Sequence, residues 1–250
     1  MNGTEGEFGE PTASMLVIGD EILSGRTKDV NVGHLADVMT AIGVDLVEVR
    51  MVPDDHAAIA DAVNALRART DYVFTTGGIG PTHDDITAEA VSQAFGVSCV
   101  HDPRAMDILS KAYRERELAF TDSRARMARM PEGCELIANR VSRAPGFRKE
   151  NVYVMAGVPK IMQAMLDEIV PTLRTGRKMV TRSVVCGLGE GIVGQPLGEI
   201  QRAHPDTMIG SYPRWDGRHF STELVVRGRD EEAVSAAFSA VEVMVRELGG

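Results

Sequence analysis

The chain has 250 residues, 44% of them hydrophobic and 25% charged, which suits one large globular domain or one domain with a small companion. Its formal net charge of −9 argues against a general nucleic-acid binder, whose surface must offset phosphate charge. A small phosphate ligand held by backbone amides stays compatible with that charge.

The first twelve residues, MNGTEGEFGEPT, are acidic and glycine-rich and lack the basic and apolar regions of a signal peptide. They read as a flexible tail, residues 1–12. No apolar run approaches the roughly 18 residues of a membrane span. Three widely separated cysteines, Cys99, Cys134 and Cys186, suit neither a zinc site nor a disulfide framework and read as free thiols of a cytoplasmic protein.

Met15 to Ile18 is the first buried strand, and its end carries Asp20 and Glu21. Val32, Leu35, Ala36, Met39 and Ile42 recur at helical spacing and predict a helix stopped by Gly43. Val44 to Val49 is a second strand, ending near Asp54 and Asp55, either of which could cap the helix marked by Ile59, Val63 and Leu66. Tyr72-Val73-Phe74 opens a third strand. It leads into Thr75-Thr76-Gly77-Gly78-Ile79-Gly80-Pro81-Thr82-His83-Asp84-Asp85, and Thr87 to Phe95 reads as the next helix.

Strand, glycine turn and helix start make an anion site: glycines admit close backbone approach, and free N–H groups at the helix start face the oxyanion. Strand–helix alternation at this short spacing predicts a parallel sheet with helices on both faces, a three-layer αβα domain. Ligands of such sheets sit at the carboxyl ends of the strands. Six acids from three loops therefore meet at one edge: Asp20, Glu21, Asp54, Asp55, Asp84 and Asp85. Like charges about 4 Å apart repel by roughly 4 kcal/mol at an effective dielectric of 20, so the acids must spread, cap helices or hold a divalent cation such as Mg²⁺ beside a phosphate.

Asp102-Pro103 starts a charged helix and Thr121 caps another, whose Arg124, Arg126 and Arg129 read as a solvated face. Pro131-Glu132-Gly133 and Ala144-Pro145-Gly146-Phe147 are turns around a short strand, Glu135 to Ala138. Val152 to Met155 is a further strand, followed after Gly157-Val158-Pro159 by a helix over Ile161 to Ile169. Beyond Thr175 the spacing changes to β-α-β-β-α. The expected domains are thus 13–174, α/β, and 177–250, a small α+β domain.

At this point the motifs resemble a known family. Thr75-Thr76-Gly77-Gly78-Ile79-Gly80-Pro81-Thr82 with Asp84-Asp85, Ile18-Gly19-Asp20-Glu21, Val30-Asn31, Pro131-Glu132-Gly133-Cys134 with Asn139, Ala144-Pro145-Gly146-Phe147 and Gly157-Val158-Pro159 occur in the order seen in the molybdopterin-binding fold. That fold is shared by molybdenum-cofactor biosynthesis proteins and competence/damage-inducible protein A, and the latter's N-terminal region is the nearer match. Asp20 stands where that family usually has a threonine. The resemblance implies metal-dependent hydrolysis of a nucleotide pyrophosphate such as ADP-ribose or FAD, with Mg²⁺, Mn²⁺ or Co²⁺. Its alternative is molybdopterin binding in cofactor biosynthesis, and it also implies a homo-oligomer.

Transferred residue by residue, it makes Asp85 and Asp54 the catalytic acids and Asp85, Asp84 and Glu21 the metal ligands. Thr76, Gly77, Gly78, Gly80, Thr82, Asn31 and Asn139 become the contacts to phosphate and ligand. Each has a plainer reading. Asp54 and Asn31 could be helix caps, the glycines a structural turn, the threonines turn caps, Asn139 a loop staple, and Asp84, Glu21 and His83 exposed loop residues. Trp215 reads as a hairpin residue packed on the other domain.

Overall fold

The computed structural model describes residues 9–215, 217 and 219–250. Residues 1–8, most of the expected tail, lie outside the described residues. The remainder of that stretch is not a free tail. Thr12 already belongs to strand β1 (Thr12–Ile18), and the Gly9 carbonyl accepts a hydrogen bond from the Arg174 guanidinium at 3.0 Å.

β1 is buried almost throughout and leads into a single helical turn, α1 (Asp20–Leu23), then α2 (Asn31–Ala41). β2 (Asp45–Val52) runs three residues further than its apolar pattern suggested. Asp55, not Asp54, caps α3 (His56–Arg67): its carboxylate accepts the Ala58 N–H at 2.8 Å. β3 (Tyr72–Thr76) and α4 (Thr87–Phe95) flank the glycine loop, and left-handed Gly96 ends α4. Then come β4 (Cys99–His101), α5 (Pro103–Glu115) capped by Asp102, α6 (Asp122–Ala125) capped by Thr121, β5 (Arg129–Pro131) and β6 (Glu135–Ile137). β7 (Gly146–Lys149), β8 (Val152–Met155) and α7 (Pro159–Ile169) complete the first unit, which spans residues 1–176.

The main sheet has the order β2-β1-β3-β8-β7-β6. β2, β1, β3 and β8 are parallel, while β7 and β6 turn back antiparallel. One face is packed by Ile59, Val63 and Leu66 of α3, Val91 of α4 and Leu109 of α5. The other is packed by Leu35 and Met39 of α2 and Met162, Met165, Leu166 and Ile169 of α7. Each fully buried side chain of this kind contributes roughly 2 kcal/mol, so both faces are sealed by ordinary apolar burial. The parallel order puts the ends of β1, β2 and β3 at one edge, so the loops after Ile18, Val52 and Thr76 are neighbours.

The second unit, residues 177–250, has its own core. It comprises β9 (Val180–Cys186), α8 (Glu190–Ala203), β10 (Met208–Trp215), β11 (Phe220–Gly228) and α9 (Glu231–Glu247). The strands form an antiparallel sheet of order β10-β11-β9, backed by Val193, Leu197, Val234, Ala237 and Val241. Asp230 caps α9 through the Ala233 N–H at 2.7 Å. Trp215 meets Phe220 of the same hairpin, with ring centroids 4.3 Å apart.

Candidate functional site

A cavity of about 520 Å³ opens where the β3 loop, the start of α7 and the segment 139–144 meet. Gly77, Gly78, Gly80 and Asp85 form one wall, with Glu21 and Thr27 from the first loop beside them. Gly157, Val158 and Pro159 continue that wall, a Cβ on Gly157 lying 3.3 Å from Cα of Gly77, and Ile79, Met127, Ile161 and Met165 supply apolar lining. Asn139, Ser142 and Ala144 close the side.

The β3 loop needs glycine for steric reasons at two positions. Gly77 has φ +104°, and a Cβ there would lie 2.1 Å from the Ile18 carbonyl oxygen. Gly78 has φ +68°, and a Cβ there would lie 2.1 Å from Oγ1 of Thr87. Both carbonyls are drawn to the helix side by one residue. The Thr87 hydroxyl donates to the Gly77 carbonyl at 3.0 Å, and the Thr87 N–H donates to the Gly78 carbonyl at 3.0 Å. Thr87 is fully buried, and its role escaped the sequence reading. Its signal was a threonine at the first position of the helix just behind the glycines. Arg126 reaches the same loop from behind, donating to the Asp85 carbonyl at 3.4 Å.

The expected ligand residues separate into two groups. Gly77, Gly78, Gly80, Asp85, Glu21 and Asn139 line the cavity. Thr76, Thr82, Asn31, Asp54 and Asp84 do not border it. Thr76 is buried in the sheet with its hydroxyl unpaired. Thr82 is turned away from a ligand role: its N–H donates to the Asp85 carboxylate at 2.8 Å and its hydroxyl donates to the same oxygen. Asn31 holds the segment beside Gly77, donating from Nδ2 to the Gly157 carbonyl at 2.8 Å. Asn139 is a loop staple. Its Nδ2 donates to Ser142 and to the Ala144 carbonyl, and its Oδ1 accepts the N–H groups of Val141 and Ser142. All four of its hydrogen-bonding positions are filled, so it shapes the cavity without a free group to read a ligand.

The acids do not converge into one ligand set. Among the described residues, no three His, Cys, Asp or Glu side chains stand together as a metal cluster. Asp85 and Glu21 face the cavity, whereas His83 is 99% exposed and 4.0 Å from the exposed Asp84. Asp54 accepts the Asp20 N–H at 3.0 Å, tying the first strand-end loop to the second. Burial pushes its carboxyl above the ordinary range; the Asp20 N–H bond opposes this, and the nearby Asp20, Glu21 and Asp84 charges reinforce it. Nor are the arginines a solvated face. Arg126 and Arg129 both meet Glu89, and Arg124 lies over the Tyr113 ring, 4.4 Å from its centroid.

An αβα sheet with a glycine loop and a cavity at the carboxyl end of its third strand defines an α/β protein of the kind that binds ligands at its strand ends. The comparisons carry this further. A family model described as "Probable molybdopterin binding domain" matches residues 14–175, and the chain belongs to that family. A second model, "FAD synthase, middle domain", matches residues 178–248. A protein of Archaeoglobus fulgidus is 33% identical over 235 residues, covering 93% of this chain and 97% of its own length. A CinA-like protein of Desulfosudis oleivorans is 36% identical over 209 residues, 79% of this chain, and the match spans 51% of that relative. The crystal structure of CinA from Thermoplasma acidophilum superposes with a TM-score of 0.60 at 32% identity, covering 65% of this chain and 98% of that one. Among the described residues, no helix is long and apolar enough to cross a membrane.

Proposed function

We propose that the protein is a metal-dependent hydrolase of nucleotide pyrophosphates. One observation carries this reading. The cavity wall carries two carboxylates, Asp85 and Glu21, but no lysine, arginine or histidine. A phosphate entering there meets uncompensated negative charge, so it binds together with a hard divalent cation. Oxygen ligands of this kind suit Mg²⁺, which commonly takes one or two carboxylates plus substrate phosphates and keeps several waters.

Asp85 and Glu21 would hold the ion. When bound, it supplies neutralisation of phosphate charge and a water of lowered pKa. The chain's own contribution is positioning. Thr87 keeps the Gly77 and Gly78 carbonyls on the helix side, leaving the other face of the loop for the substrate. The first turn of α7, at Val158–Pro159, turns its positive dipole end to the cavity. Asp54, held by the Asp20 N–H and outside the cavity lining, would act through its charge on neighbouring Glu21. Ile79, Met127, Ile161 and Met165 exclude bulk water and pack the nucleoside. The second family match, to a FAD synthase domain, agrees with a nucleotide substrate.

The test is a screen of ADP-ribose and FAD, each at about 1 mM, with Mg²⁺, Mn²⁺ and Co²⁺, following AMP release. Asp85→Ala is expected to lower the rate by about 100-fold or more with the fold intact. No AMP release with any of the metals overturns the reading. The second reading is molybdopterin binding without hydrolysis, favoured by the apolar lining and by the description of the matched family. Calorimetric binding of molybdopterin without AMP release would select it.

A further inference from the structure

β2 is an edge strand, and among the described residues no strand pairs with its outer side. Alternate apolar side chains on one face of the strand are open: Val47 is 57% exposed, Val49 38% and Met51 47%. Its backbone direction follows from one bond. The Val52 carbonyl accepts the Gly19 N–H at 3.2 Å, so Val52 faces β1. The period of two then turns Arg50 and Glu48 toward β1 as well, and leaves the N–H and C=O groups of Val49 and Met51 pointing outward. Val47 is the extra residue of the irregularity opposite Ala13 and Ser14, so the regular outer ladder is short.

We infer that this edge pairs with the same edge of a second copy of the chain, antiparallel across a two-fold axis at Val49. The charge pattern selects that register. With Val49 opposite Val49 of the second copy, Met51 lies opposite Val47, and Glu48 lies opposite Arg50 in both directions. Sliding the pairing so that Val49 meets Met51 sets Arg50 against Arg50. Sliding it the other way sets Glu48 against Glu48. Only the central register brings opposite charges together, and it also joins the two apolar strips on one face of a continuous sheet. Glu48 is already held by two cations of its own chain, Nε of Arg50 at 2.6 Å from Oε1 and Nη1 of Arg69 at 3.1 Å from Oε2, so Glu48 and Arg50 need not be newly ordered. Charged edge residues usually guard against pairing, but a guard repels its own copy, and this pair is self-complementary. The contact is small, so its expected dissociation constant lies in the micromolar range.

Sedimentation velocity of the full chain from about 1 to 200 µM tests it. The expected result is a concentration-dependent dimer. Val49→Lys, at an exposed position, places like charges on the axis and should leave monomer throughout. Glu48→Arg alone and Arg50→Glu alone should each weaken the dimer at least about tenfold, and the double swap should restore it. Amide exchange gives a reading independent of the variants: the Val49 and Met51 amides should slow as concentration rises, while those of Arg50 and Val52 should not. A wild-type monomer at the highest concentration overturns the inference. So does a dimer unchanged by Val49→Lys, or single swaps as tight as wild type.

Discussion

The loop from Gly77 to Asp85 and the corner made by Asp20, Glu21 and Asp54 stand at the ends of neighbouring parallel strands, and both are acidic. Their carboxylates live differently. Asp85 is answered within its own loop by the N–H and hydroxyl of Thr82. Asp54 has one N–H bond, from Asp20, and stands among three further acids while partly withdrawn from water. In the first arrangement both donors meet one oxygen, Oδ2, which fixes the shape of the cradle while Asp85 still borders the cavity. The second holds unrelieved repulsion, which a cation or a proton would remove. Acids at neighbouring strand ends can therefore differ in how far their charge is answered by the protein. The number of N–H and hydroxyl donors each one meets makes the difference.

The largest expected effect comes from breaking the cradle. Gly78→Ala puts a Cβ against Oγ1 of Thr87 in a left-handed backbone and should destabilise the first unit by about 2 kcal/mol or more, read from the urea midpoint, with AMP release lost alongside. Thr87→Val removes only the hydroxyl bond to the Gly77 carbonyl. It should cost about 1 kcal/mol, and raise KM more than it lowers kcat if the loop serves substrate binding. The corner responds in the opposite sense. The folded state holds the Asp54 proton more tightly than the unfolded chain does, so ionisation removes stability as pH climbs from the unfolded value of 3.8 through the raised folded one. Asp54→Asn keeps an acceptor for the Asp20 N–H and should raise the melting temperature at pH 7. That gain should vanish below pH 3.8 and shrink when Mg²⁺ is added at pH 7. Smallest of all, His83→Ala should leave hydrolysis and melting unchanged, because its side chain is open to solvent.

Much of this was legible before any coordinates. Val152–Met155 is a short apolar run bounded by turn residues and Thr87–Phe95 is bounded by a glycine, so both match their expected limits, while the strand opened by Tyr72-Val73-Phe74 runs on through Thr75 and Thr76. The glycine cradle and the shared strand-end edge followed from the same pattern. β7 was hidden because the Pro145-Gly146 turn signal overlaps its first residue, and β4 and β5 are three-residue strands whose pairing is not local. Side-chain direction was the other gap. Thr76 and Thr82 are both threonines of the motif, yet one is sealed in the sheet and the other bonds its own loop, a difference set by strand alternation and turn geometry. Asn139 looked like a ligand contact because its four partners, on Val141, Ser142 and Ala144, become neighbours only when the segment turns. Arg126 and Arg129 looked solvated because Glu89, their partner, lies some forty positions away in sequence.

The cavity's makeup has a consequence for the order of folding. Its lining begins at Glu21 and ends at Met165, and the wall at Gly157 is held by Asn31, 126 residues earlier. Closing loops that long is slow compared with forming α4 or docking β3 on β1. Ligand-binding competence should therefore be the last property the first unit acquires as it folds. A stopped-flow refolding trace followed by ligand fluorescence would lag behind the helical signal at 222 nm. A ligand present from the start would slow unfolding more than it speeds folding.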